Sequence, residues 1–128
     1  IDVVSIQPNG CKFDKNYFSD LHQTTKKPIM LCDHQCSFPT ENYNHTVWKQ
    51  LESEAVAANN YNNYVNEAVK APYVLGYHRC QYVDRYNKKN NILKQGMIKN
   101  DWSPYGELVN IVTATNRTAK ELFELSRQ

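Results

Sequence analysis

Short apolar runs alternate with amphipathic stretches along this chain, and the alternation predicts its elements. Asp2 to Ile6 is a β-branched run stopped by Pro8, Asn9 and Gly10, a strand followed by a turn. Asp14 then suits a helix N-cap ahead of Tyr17, Phe18 and Leu21, which share one helical face. The run KPIMLCDHQCSFP from Lys27 to Pro39 opens apolar at Ile29–Leu31 and ends in Cys32, Asp33, His34 and Cys36. A short apolar run bounded by turn signals reads as a buried strand that delivers reactive side chains at its carboxyl end. Trp48, Leu51, Ala55, Ala58, Tyr61, Val65 and Ala68 recur every three or four residues, which predicts a long helix from Thr46 to about Pro72. Its alanines suit close approach to another element.

The third strand is predicted from Tyr73 to Cys80, again apolar first and reactive last. An irregular stretch from Gln81 to Asn91 follows, then an extended piece, Ile92 to Ile98, around Gly96. Ser103 and Pro104 supply an N-cap and a first-turn proline for a last helix. That helix presents Leu108, Val112, Thr115, Ala119 and Leu122 or Phe123 on one face.

Strand and helix therefore alternate three times, which calls for an α/β fold with a parallel sheet and right-handed crossovers. The predicted strands Val3–Gln7, Ile29–Asp33 and Val74–His78 should lie adjacent in that order, with helices on one side. No glycine-rich phosphate motif follows the first strand. Reactive residues at two consecutive strand ends, with a long loop after the second, fit a TIM (β/α)8 barrel better than a doubly wound sheet. Three units cannot close a barrel. Residues 1–128 read as its C-terminal part, units six to eight, with open sheet edges to be covered by the missing units or by self-association.

Composition narrows the partners. The 128 residues suit a single domain, and a net charge of +2 without a basic stripe argues against nucleic acid. No apolar run approaches the roughly 18 residues of a membrane helix, and the start, which does not resemble a signal peptide, reads as the middle of a fold. Cys11, Cys32, Cys36 and Cys80 lack zinc-ribbon spacing and read as buried thiols, with a disulfide or a metal as the remaining options. The sequons at Asn44 and Asn116 are matches of the kind an Asn-rich chain produces by chance.

The run from Lys27 to His34 resembles the seventh strand of clan A glycoside hydrolases, where a KPI motif leads to the nucleophilic glutamate. GYHRCQYVD at 76–84, GMI at 96–98 and WSPYGELV at 102–109 resemble the last unit of agarase- and porphyranase-type enzymes. The family pattern there is G-x-H-W-x-Q-Y-x-D, then G-(L/F)-V-D, then T-P-Y-x-E-L-V. Asp33 stands where the glutamate is expected, one methylene shorter, and Arg79 replaces a tryptophan.

The resemblance implies hydrolysis of a β-linked polysaccharide by two carboxyl groups, the acid/base lying on a strand outside this chain. It implies Asp33 as nucleophile, His34, His78, Arg79, Gln81, Tyr82 and Asp84 as sugar-binding groups, and no cofactor. Trp48, Tyr82 and Tyr86 are candidates to stack on sugar rings. Arg79, with a fixed charge and a donor fork, would favour a sulfated or carboxylated galactan, unless it pairs with Asp84. If Asp33 faces the barrel axis, Cys32 should lie against the helices. Two other readings stand beside this one. The first is a non-catalytic sugar-binding or interaction domain. The second is a zinc site built from Cys32, His34 and Cys36 with His78 and Cys80.

Overall fold

The computed structural model describes residues 2–128. The elements are β1 (Val4–Ile6), α1 (Lys15–Thr25), β2 (Ile29–His34), α2 (Glu54–Lys70) and β3 (Val74–Arg79). A hairpin of β4 (Arg85–Asn87) and β5 (Ile92–Lys94) follows, and α3 (Gly106–Leu125) comes last. β1, β2 and β3 form one parallel sheet in that order, as the alternation predicts.

Registers set the two faces. Val4, Ile29 and Val74 align, as do Ile6, Leu31 and Tyr77. These residues pack with Phe18 of α1 and with Tyr64 and Ala68 of α2 in one core. A second core lies between α2 and α3, where Ala57, Ala58, Tyr61 and Val65 meet Leu108 and Val112. The opposite face of the sheet carries Ser5, Met30 and Gly76, also in register. No helix covers it: Ser5 is exposed, and Met30 and Gly76 are half-buried.

Two helix starts differ from expectation, each for a local reason. α2 begins at Glu54, because the backbone of 46–51 finds extended partners first. Val47 N–H donates to the Leu93 carbonyl at 2.9 Å, and Leu51 N–H to that of Ser37 at 2.8 Å. Ser53, whose Oγ accepts from Val56 N–H, is the actual N-cap. Trp48 and Leu51 keep the helical spacing but lie outside the helix. α3 starts at Gly106 because Asp101 captures both the Ser103 N–H (2.9 Å) and hydroxyl (2.5 Å). The Glu54 carboxylate takes over capping, accepting from Leu108 N–H at 3.0 Å.

Cysteine usage is also corrected. Cys11 and Cys36 form a disulfide across 25 residues, joining the segments that follow β1 and β2, and only Cys32 and Cys80 are free thiols. Closing a loop of that length stabilises a fold by about 3 kcal/mol. Cys11→Ser is therefore expected to lower Tm by roughly 10 °C, a shift that differential scanning calorimetry resolves. Adding reductant to the parent protein should reproduce it. The bond also removes Cys36 from any zinc set.

Candidate functional site

Asp33 sits where the three strand ends meet. It lies in β2, yet its backbone is left-handed, with φ of 52°. Asp and Asn tolerate this conformation better than most side chains. The register between β2 and β3 shifts across this point, from Leu31–Tyr77 to His34–Arg79. Such irregularities re-aim side chains at the ends of sheets. Here the carboxylate reaches sideways: Gln7, just after β1, donates through Nε2 to Asp33 Oδ2 at 3.1 Å and to its carbonyl at 3.0 Å.

Cys80, just after β3, closes the other flank. Burial first, and then hydrogen bonding to Asp33, push its thiol above the ordinary value, while the Lys94 ammonium acts in the opposite sense. Lys94 Nζ also stands 5.2 Å above the Trp48 ring, a cation–π pair. Half-buried Cys32 accepts from Ser5 Oγ at 3.2 Å, so it lies on the uncovered face and not against the helices. His78 is exposed two residues beyond Gly76, and Tyr82 is 66% exposed.

Four other expected sugar ligands lie elsewhere. The kink at Asp33 sends His34 to the helix side, where it is 4% exposed and stacks on Tyr64 at 4.4 Å. Its Nε2 meets the Gly10 carbonyl at 2.7 Å and its Nδ1 the Tyr77 hydroxyl at 3.0 Å. Asp84 is likewise buried, accepting from Gly96 N–H at 2.5 Å and from Tyr105 hydroxyl at 2.6 Å. That leaves the expected Arg79–Asp84 pair unformed. Arg79 follows Tyr77 onto the helix side, beside Tyr61 and Leu108. Its Nη1 donates to the Gln81 carbonyl at 3.2 Å, and Nη2 is buried without a hydrogen-bond partner. Gln81 braces the hairpin, donating through Nε2 to the carbonyls of Val83 (2.6 Å) and Lys94 (2.8 Å). Tyr86 packs on Tyr43 at 4.6 Å.

Burial foremost, with Arg79 adding to it, lowers the His34 pKa below 6.5, against the opposing hydrogen bond to Gly10. A depressed folded-state pKa means that the unfolded chain binds the proton first. The stability that neutral His34 contributes is complete above pH 6.5 and is lost as pH falls from there through the lowered folded value. Stability should fall between pH 7.5 and about pH 5, with a shallower slope in His34→Gln; urea melts across that range measure it.

Gln7 and Lys94 were not singled out from sequence. Gln7 ends the first apolar run, a position that could have flagged it, whereas Lys94 reaches the site only through the hairpin fold. Among the described residues no three His, Cys, Asp or Glu side chains group as a metal site.

Comparison with known proteins places the fold. No family model matches the sequence, and no curated protein does. Solved structures do match. An exo-β-agarase superposes with a TM-score of 0.84 at 20% identity over 95% of this chain and 17% of that chain. The agarase AgWH50C does so at 0.80 and 17% identity, over 99% of this chain and 20% of that one. A β-glucuronidase from Faecalibacterium prausnitzii gives 0.68 and 17% identity, over 91% and 22%. The chain thus spans about a fifth of the length of these structures. What they share with it is an α/β fold in which a parallel three-stranded sheet and its helices match one segment of a glycoside hydrolase.

Proposed function

We propose that residues 1–128 are the last three βα units of a (β/α)8-barrel glycoside hydrolase acting on a β-linked polysaccharide, with Asp33 as its nucleophile. One observation carries the reading. A carboxylate stands at the carboxyl end of the middle strand of a parallel sheet, held by Gln7 from the end of β1, in a chain that superposes almost whole on agarase segments. Strand carboxyl ends are where such barrels build their sites.

In this reading an Asp33 oxygen attacks the anomeric carbon as the glycosidic C–O bond breaks. The departing oxygen takes its proton from an acid contributed by another part of the barrel, and water later releases the sugar from Asp33. Gln7 holds the carboxylate in line, and that orientation matters because attack needs contact at roughly 3–3.5 Å. His78 and Tyr82, both exposed, supply a hydroxyl ligand and a ring to stack on. The uncovered face of the sheet turns inward, and the free edges of β1 and β3 pair with the other units. The disulfide suits an oxidising compartment, where a polysaccharide would be met.

The test is trapping. The complete protein, incubated with an activated 2-fluoro-galactoside, should gain one sugar mass on the peptide that contains Asp33. A label on a different carboxylate, or binding of oligosaccharide without any turnover, would reject Asp33 as nucleophile, the latter favouring a sugar-binding domain.

A further inference from the structure

The β4–β5 hairpin carries a groove of about 670 Å³ whose charged lining is entirely cationic: Arg85, Lys88 and Lys94. No aspartate or glutamate lines it; the other lining groups are neutral, among them the amides of Asn87 and Asn90. Arg85 and Lys94 are direct cross-strand partners. Like charges opposed in this way destabilise a hairpin. No carboxylate pairs with them: the ion pairs among the described residues are Lys70–Glu67 and Lys120–Glu124. A site with three converging cations and neutral donors matches an anion presented on a hydroxyl-rich scaffold.

The groove is also joined to the carboxylate site. Lys94 lines it, stands over Trp48, and acts on the Cys80 thiol that faces Asp33.

We infer that this groove is a subsite for an anionic sugar unit, bearing a sulfate ester or a uronate carboxylate. Its place along a substrate rests on the glycosidase reading, but its anion recognition does not. It moves the source of anionic preference from Arg79, which is buried on the helix side, to the hairpin.

The experiment is equilibrium binding of the protein to four probes at low and moderate salt. These are a sulfated galactan, the same galactan desulfated, polygalacturonate and duplex DNA. The parent should bind one or both anionic polysaccharides at least tenfold more tightly than the desulfated galactan, and the tighter of the two identifies the anion. Arg85→Gln/Lys88→Gln should erase that difference while keeping its affinity for the desulfated galactan. Its Tm in the absence of sugar should not fall, since a repulsion has been removed. Lys120→Gln on α3 should leave all four affinities unchanged. Equal binding of sulfated and desulfated galactan, an indifferent double variant, or DNA binding as tight as that of the anionic sugars would each overturn the subsite. If Asp33 fails to be labelled while the anionic preference persists, the nucleophile assignment falls and the groove stands; the reverse result sinks only the groove.

Discussion

Asp33→Asn is expected to reduce kcat/KM of the complete protein by about 10⁴-fold or more, the scale of losing a nucleophile. The fold should survive. Asparagine occupies left-handed backbone as readily as aspartate, and its amide oxygen can still accept from Gln7 Nε2, now 3.1 Å from the carboxylate. Stability should therefore change by no more than about 1 kcal/mol. That separation makes the experiment decisive: equal melting curves with absent turnover isolate the charge from the scaffold. Activity within tenfold of the parent would mean that Asp33 positions substrate or backbone and that another group attacks.

The second large effect is structural. Gly96→Ala should destabilise by about 3 kcal/mol or more, lowering Tm by roughly 10 °C. A Cβ at position 96 would stand 2.6 Å from the Tyr82 carbonyl oxygen, 2.6 Å from the Val83 carbonyl carbon and 2.7 Å from the Asp84 nitrogen. All three are backbone atoms, so no side chain can swing aside. The crossing is bonded tightly as well, with Met97 N–H to the Tyr82 carbonyl at 2.8 Å and Gly96 N–H to Asp84 at 2.5 Å. Because Gln81 ties this crossing to the Lys94 carbonyl, the variant should also blur the cationic hairpin. Thermal melts together with amide exchange of residues 82–98 would show both. An unchanged melting temperature would mean that the two segments separate more easily than their contacts indicate.

The three strands and their order were legible because each apolar run is local and bounded by its own turn signals. Asp14 was legible as a cap for the same reason, and its side chain does accept from Tyr17 N–H at 3.0 Å. What escaped was non-local. Trp48 and Leu51 match a helical period, but the pairing of 46–51 with the Ser37 and Leu93 segments reaches about a third of the chain away. Spacing alone does not pair Cys11 with Cys36. Strict alternation along a strand places Asp33 and His34 on opposite faces, and they are so placed. It failed for Cys32, expected against the helices and found on the uncovered face, because the Asp33 kink changes which side comes next; Arg79 obeys it, two residues beyond Tyr77 on the helix side. Asp84 carried the look of a site acid, while its partners, Gly96 and Tyr105, become visible only when the hairpin folds back.

The left-handed backbone at Asp33 limits what can replace it. Aspartate, asparagine and glycine enter that conformation more readily than longer side chains. A glutamate here would keep the charge but strain the backbone between Leu31 and His34. Asparagine or glycine would keep the backbone and lose the charge. Shape and charge are thus separate demands on one position, and among the residues that favour left-handed backbone aspartate alone meets both.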